Sequence, residues 1–507
     1  MKFIPYLFVL LLFIVWNCNR RDPNAPPEPT GLSGKELAAI HCASCHVQPM
    51  PELLDKFTWK EGVMPQMAYY LGMRGVFEKM TEVNPDDIVT IMQAKIYPDK
   101  PLLVEADWQK IVDYYIENAP EKPIPQASKA PVKMGLPFFE IKMIEGMSDR
   151  PPMVTMLKID TTNGHLYAGR RDKRWLEIYD KTLKRIDSIG LESPVSDIYW
   201  NEKQELLTLQ MGIMDPNDSP KGKLIQINAQ NQGQTVLDSL RRPVHILMED
   251  LNEDGMPDYL ICNYGNEVGH LSWYDGKNFQ AYTLKDLPGA RNTILHDMNN
   301  DGRLDIITLF CQARESIYIF YNNGDGIFKE EKILEFPPIY GSSFIELADM
   351  NGDGKLDILY TNGDNADYSL SLKNYHGLRI FLNDGQNHFT ERFFYPIYGA
   401  SKVQAADFDA DGDLDIATIA FFNNANQQPN EGFLFFENKG DFQFEISTFA
   451  VPGSTWLVMD VGDLDQDGRL DIVLGNFFKP GMGRDLSSLP KQPAVVWLRN
   501  IAPKATN

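Results

Sequence analysis

Two kinds of residue spacing in this chain carry chemistry. The first is Cys42-Ala43-Ser44-Cys45-His46, a C-x-x-C-H string. Two thiols three residues apart on one helical turn can each add to a vinyl group of a haem, and the histidine that follows then faces the iron. Zinc would need about four ligands, and no second Cys/His pair follows nearby. The expectation is one covalently held haem c, with Cys42 and Cys45 as the attachment points and His46 as an axial ligand. The second is D-x-[ND]-x-D-G-x-x-D, which occurs five times, beginning at Asp250, Asp297, Asp349, Asp407 and Asp463. Side chains at the first, third, fifth and ninth places offer hard oxygens and the seventh offers a carbonyl. Glycine at the sixth permits the sharp turn, so the chemistry is that of calcium.

The five candidate calcium sites are therefore Asp250, Asn252, Asp254, Met256 and Asp258; Asp297, Asn299, Asp301, Arg303 and Asp305; Asp349, Asn351, Asp353, Lys355 and Asp357; Asp407, Asp409, Asp411, Asp413 and Asp415; and Asp463, Asp465, Asp467, Arg469 and Asp471. An EF-hand would need a bidentate Glu at the twelfth place and flanking helices. Here the flanks are β-like, as in Val244–Met248 before the first loop and Leu470–Leu474 after the last.

The elements that must position these residues fall into two classes. Ser33-Gly34-Lys35-Glu36 has the form of a capping box and starts a short helix that runs into Cys42. Asn84-Pro85-Asp86-Asp87 is a second helix start. Trp108, Ile111, Val112, Tyr115 and Ile116 recur at helical spacing and form one apolar face. Beyond residue 136 the motifs return roughly every fifty residues between short strands, the pattern of propeller blades. Two blades without the aspartate motif fit between Pro151 and Leu240, giving seven. The last blade lacks an outer strand, which Pro137–Met143 is placed to supply, removing an exposed edge. Cys262 and Cys311, on corresponding strands after the first two loops, read as buried core residues. His245 and His296 precede those loops, do not recur, and read as structural.

The chain has 507 residues, 43% of them hydrophobic, and a formal charge of -22 from 70 acidic and 48 basic side chains. That length predicts more than one domain, and the charge argues against nucleic acid as a partner. The apolar run Phe3–Trp16 after Lys2 is too short to span a bilayer and suits a signal peptide. Cys18, just after it, resembles the lipidated cysteine of bacterial lipoproteins, which implies an exported protein lipid-anchored in the bacterial envelope. The expected order is signal peptide 1–18, Pro-rich tether 19–32, haem domain 33–120, linker 121–135 and propeller 136–502.

The helical segment resembles the small monohaem class of cytochrome c. In that family the second axial ligand is usually a methionine downstream of the histidine. Met64, Met67, Met73, Met80 and Met92 are candidates, and Met67 is favoured as a proline-flanked methionine in a loop. The motif repeats resemble FG-GAP or VCBS repeats of integrin α-type propellers, although the Phe-Gly and Gly-Ala-Pro landmarks are mostly absent. The fold expected is multidomain, a small all-α cytochrome c domain followed by an all-β seven-bladed propeller with calcium loops. The resemblances imply an electron-transfer protein holding one haem c and about five Ca²⁺. Its partners would be a redox protein in the envelope, the membrane through its lipid, and a glycan or protein on the propeller. Two other readings remain: a propeller oxidoreductase acting on a carbohydrate or alcohol and feeding its own haem, and a surface adhesion protein with the haem as sensor. No nucleophile motif or dinucleotide fingerprint stands out in the sequence.

Overall fold

The computed structural model describes residues 28–145, 151–201, 203–365, 371–424, 426–478 and 492–503. The signal segment, Cys18 and most of the tether lie outside the described residues.

From Val154 to Asn500 the chain forms six antiparallel blades of four successive strands and three strands of a seventh, each strand pairing with the next in sequence. Blade one runs from Val154–Asp160 to Arg185–Gly190, and blade two from Val195–Trp200 to Gly233–Leu240. Blades three to seven begin at Pro243–Glu249, Ala290–His296, Ser342–Ala348, Ala400–Ala406 and Trp456–Gly462. The second strands of blades four to seven are buried at every residue, as in Asp305–Phe310 and Asp415–Ala420, because sheets cover both of their faces. Outer strands such as Phe328–Glu335 are mostly exposed. The last blade is completed by Phe139–Glu145, which pairs antiparallel with Pro493–Asn500 from Phe139 opposite Asn500. The start of the propeller thereby closes onto its end, and Phe139–Glu145 takes the place of that blade's outer strand.

A second closure runs around the centre. At each of the seven blade junctions an inner-strand side chain bonds the backbone of the next blade. Thr155 Oγ1 donates to Val195 O at 2.7 Å, and Asp197 accepts from Ile246 N at 3.2 Å. His245 Nε2 meets Thr293 O at 3.1 Å, and Asn292 Nδ2 donates to Ile345 O at 3.0 Å. Glu346 accepts from Ala405 N at 3.1 Å, Lys402 Nζ donates to Met459 O at 2.8 Å, and Asp460 accepts from Ile159 N at 2.8 Å.

Burial pushes the Glu346 carboxyl up to about 7, although the Ala405 N–H and the Lys402 charge oppose the shift and Asp460 adds to it. A carboxyl whose folded pKa is raised contributes stability that is complete below its unfolded pKa and lost as pH rises through 7. Glu346→Gln is therefore expected to be more stable than the parent at pH 8, by up to about 3 kcal/mol, and the difference should vanish near pH 4. Urea unfolding at the two pH values measures it.

Blade one lacks the aspartate motif and carries a buried charge cluster instead. Glu177, fully buried, bonds Arg170 at 3.0 Å, Lys173 at 2.8 Å, Arg185 at 3.1 Å and the Tyr179 hydroxyl at 2.9 Å. Removing the carboxylate leaves the buried Arg170 guanidinium with Asp172 as its one acidic partner among the described residues. Glu177→Ala is expected to cost about 3–5 kcal/mol, read from the denaturant midpoint.

Ahead of the propeller lie helices at Gly34–His41, Met64–Tyr70, Val76–Lys79, Ile88–Ala94 and Glu105–Asn118. The first begins with the full capping box, Ser33 Oγ accepting from Glu36 N and Glu36 accepting from Ser33 N. It crosses the last helix so closely that a Cβ on Gly34 would stand 2.0 Å from Lys110 O. Leu37, Ala38, Trp59, Met64, Trp108, Ile111 and Tyr115 form the core between them. Trp59 Nε1 donates to Pro51 O at 2.7 Å, and the Tyr115 hydroxyl donates to Pro49 O at 3.0 Å.

The helical segment docks on one face of the propeller. Glu267 accepts from the hydroxyls of Tyr70 at 2.5 Å and Tyr97 at 2.9 Å. Ser219 Oγ donates to Asp87 at 2.6 Å, Lys221 pairs with Asp86, and Ile339 packs against the helical core. All four propeller residues lie on connections between second and third strands or between blades. The aspartate loops join first and second strands, so in an antiparallel blade they lie on the opposite face. Within the expected linker, Lys133–Met134 pairs in parallel with Ser447–Thr448 and makes blade six five-stranded. Lys129 also pairs with Glu431 at 2.7 Å. That stretch is strapped to the propeller rather than free chain.

Candidate functional site

The C-x-x-C-H string occupies the turn after the first helix. Cys42 caps that helix, its N–H donating to Ala38 O at 2.9 Å, and its side chain is half-buried against the helical core. Burial pushes the Cys42 thiol up to about 11. Cys45 is exposed, with its sulfur 3.6 Å from Ser44 Oγ, and neither thiol is in a disulfide. The His46 ring is partly buried, and burial holds its pKa below the ordinary histidine value. Its Nδ1 lies 2.9 Å from Val47 O. A carbonyl can only accept, so Nδ1 carries the proton and Nε2 keeps its lone pair, the tautomer a metal requires.

These residues fit a c-type haem on the chemistry of the donor set: two free thiols and one neutral imidazole with its far nitrogen anchored. The surroundings fit as well. Ile40 (54%), Val47 (36%) and Met50 (48%) expose apolar surface beside the string, as a flat apolar ring would need.

The candidate methionines separate by position. Met64 and Met80 are buried in different cores, and Met92 is exposed. Met67 and Met73 are partly buried against the core that Cys42 also borders. Met67 does not lie in a loop as its sequence context suggests. The chain stays helical from the π-helical turn Thr58–Val63 into Met64–Tyr70; Pro65 lies inside that run, just after the wider π turn in which Met64 N donates to Trp59 O.

The five aspartate loops share one geometry. In the first, Asp254 N donates to Asp250 and Asn252, both at 3.0 Å, and Gly255 N donates to Asp250 at 2.8 Å. The sixth-place glycines have φ between 79° and 100°, a region that glycine enters freely. The ninth-place aspartates are buried, and each bonds the loop to a neighbouring hairpin. Asp258 accepts from Leu251 N at 3.0 Å and Gly276 N at 2.9 Å, and Asp471 accepts from Leu464 N at 3.1 Å and Asn500 N at 2.7 Å. Asp305, Asp357 and Asp415 repeat the pattern. Burial pushes Asp258 up to about 6, and Asp415 and Asp471 up to about 7.

The loops differ in their counter-charges, which the motif reading missed. Lys277 pairs with Asp254 at 3.0 Å, Arg303 with Asp301 at 2.7 Å, Lys355 with Asp353 at 3.4 Å, and Arg469 with Asp467. Arg499 bonds Asp465 at 2.5 Å and Asp467 at 3.2 Å. Three of these bases stand at the seventh place and were legible as Arg303, Lys355 and Arg469. Among the described residues no base pairs with Asp407, Asp409, Asp411 or Asp413. Oxygens of Asp407, Asp409 and Asp411 lie within 4.8 Å of one another, as do those of Asp463, Asp465 and Asp471. Burial and neighbouring carboxylates push Asp409 and Asp413 upward, and Asp413 Oδ1 and Asp465 Oδ1 are buried with no hydrogen-bond partner. Clustered carboxylate oxygens with unsatisfied lone pairs suit a hard cation.

The FG-GAP-like repeat family matches residues 250–308, 297–360 and 361–418. Cartilage acidic protein 1 of Xenopus tropicalis is 30% identical over 203 residues, 38% of this chain and 30% of the relative. The T-cell immunomodulatory protein homolog of Plasmodium yoelii yoelii is 26% identical over 216 residues, 34% of this chain and 29% of the relative. The chain thus spans about 30% of the length of these relatives. Among solved structures, virginiamycin B lyase of Staphylococcus aureus aligns at TM-score 0.46 and 10% identity, over 71% of this chain and 99% of that one.

Proposed function

We propose, for a chain that carries FG-GAP-like repeats in a seven-bladed propeller, that its helical segment holds one covalent haem c and transfers single electrons. The observation that carries this reading is the turn at Cys42–His46: two thiols outside any disulfide and an imidazole anchored through Nδ1, with no partner on Nε2 among the described residues. A haem held there would take up and release one electron without forming a bond to any substrate. The protein's own part is to orient and exclude. The capped first helix fixes the thiols, Val47 fixes the imidazole, and the core that Met67 borders supplies a candidate for the sixth position. The propeller serves as a platform whose five loops bind Ca²⁺ on the face away from the helical segment. Redox partners would approach the helical side, and a glycan or protein ligand the propeller. The expected setting is export with anchoring through Cys18 at the bacterial envelope.

The test is an electrochemical titration of protein purified from a host that matures c-type haem. A single one-electron Nernst transition in the visible spectrum supports the carrier reading. A haem that is reduced but cannot be reoxidised by mediators in the same range would contradict it.

A further inference from the structure

The geometry points to Arg499 as the resident counter-ion of the last aspartate loop, which an entering Ca²⁺ displaces onto Glu140, so that filling this loop tightens the closure of the propeller ring. The assignment rests on the calcium reading of the loops above and adds what the cation must move there.

Each aspartate loop is anchored by a residue at or just beyond the end of the third strand, whose N–H donates to the ninth-place aspartate. These residues are Gly276, Asn322, Asn383, Asn438 and Asn500. The residue before each is Asp275, Tyr321, Leu382, Glu437 and Arg499 in turn. That position faces the third place of the loop. In blade three Asn252 Nδ2 donates to Asp275 at 3.4 Å, and in blade seven Arg499 Nε donates to Asp465 at 2.5 Å. Blade seven alone puts a base there. The seventh-place bases are a different feature, since Arg303 and Arg469 both turn Nε onto the anchoring asparagine, Asn322 O at 2.8 Å and Asn500 O at 3.0 Å.

The Arg499 guanidinium stands between two sets of acids. On the loop side it bonds Asp465 and, through Nη2, Asp467 at 3.2 Å. Oxygens of Asp463, Asp465 and Asp471 lie within 4.8 Å of one another there. On the other side Nη1 is 3.7 Å from Glu140, the residue directly opposite Arg499 in the closing pair of strands. The Arg499 side chain is 28% exposed and that of Glu140 51%, so the guanidinium can turn from loop to seam at the surface. Lys142, 3.5 Å from Glu140, is that carboxylate's other basic partner among the described residues.

A divalent cation and a guanidinium compete for the same oxygens of Asp465 and Asp467, and their like charges repel at contact. Asp465 Oδ1 is buried without a hydrogen-bond partner, so one oxygen of that carboxylate is already open to the cation. Filling the loop releases the guanidinium, whose remaining acidic partner among the described residues is Glu140. Glu140 belongs to Phe139–Glu145, the strand that joins the start of the propeller to its end. The other four loops stand in blades that need no such strand.

The experiment is hydrogen–deuterium exchange read by mass spectrometry on the full-length protein over a series of free Ca²⁺ concentrations. It compares the parent with Arg499→Gln, Arg499→Lys and Glu140→Gln. Peptides over 463–471 report the loop, those over 139–145 report the seam, and those over 407–415 are the reference. In the parent, Ca²⁺ is expected to slow exchange in the loop and, by a factor of about 2–5, in the seam, the size of an exposed ion pair. Arg499→Gln should fill the loop at about tenfold lower Ca²⁺ and lose the seam response. Arg499→Lys, which keeps the charge, should fill the loop near the parent concentration. Glu140→Gln should keep the loop response and lose the seam response. The reference midpoint should be the same in all four proteins. An unchanged loop midpoint in Arg499→Gln, or a seam that answers Ca²⁺ in Glu140→Gln as in the parent, overturns the role of Arg499 and leaves the calcium reading intact. A parent in which no loop responds to Ca²⁺ overturns the reading on which it rests.

Discussion

Exported protein with serine at both Cys42 and Cys45 is expected to lose all covalently bound haem while its propeller still folds. The basis is local. The two thiols stand at the end of a helix whose start is fixed by its own capping box, and neither is part of a disulfide or of the innermost core. Cys42 only borders the core, so its replacement by the isosteric serine should cost the helical segment little. The propeller core lies elsewhere, between the blades. The expected result is a colourless variant whose strand-rich circular dichroism and main thermal transition match the parent. A variant that keeps a covalent chromophore would place the attachment elsewhere in the chain. His46→Ala should behave differently, retaining covalent haem through the thiols but with an altered axial spectrum.

The second large effect is expected on removing calcium. A ligand that binds only the folded protein stabilises it by RT ln(1 + [L]/Kd), about 2.7 kcal/mol for each site at a free concentration of one hundred Kd. Several such sites on one propeller would make a chelator lower the melting temperature steeply, and restored Ca²⁺ should return it. The loops should not release together. Lys277, Arg303, Lys355, Arg469 and Arg499 already neutralise part of the charge in four of them. In the Asp407–Asp415 loop no such base is paired, and Asp413 Oδ1 is left without a partner. That loop is expected to be the last to empty in a chelator titration followed by mass spectrometry under native conditions. Asp411→Asn should weaken the tightest site, whereas Asp301→Asn should leave it unchanged. Equal release from all five loops would show that the paired bases swing away without cost.

The parts of this architecture legible in the sequence are those written in local pattern. The aspartate motif repeats because each loop must make the same turn, with glycine at positive φ and a ninth aspartate bridging two backbone N–H groups. The closing strand was legible because Pro137–Met143 is a strand pattern without a neighbour, beside a last blade one strand short. The capping box at Ser33 and the apolar face from Trp108 to Tyr115 obey local rules and are found where those rules put them. What was not legible depends on contacts between distant residues. Glu267 is separated from Tyr70 and Tyr97 by well over a hundred positions, and nothing in its own neighbourhood marks it as the docking acceptor. Lys133–Met134 is too short a strand to show any period. Met67 looked like a loop residue because proline usually ends a helix, yet here the helix runs through Pro65 behind a π turn. Arg499 reaches back to Asp465 across a strand pairing that the motif itself does not contain.

Whether the Cys42–His46 turn carries a covalent haem is read from the mass of a single peptide. Protein exported by a host with c-type maturation machinery is digested, and the peptide spanning residues 42–46 is weighed. This peptide is expected to carry the mass of one haem, bound through both thiols. A peptide of unmodified mass with two alkylatable cysteines, from protein that otherwise folds, would contradict it and leave the propeller without a redox role.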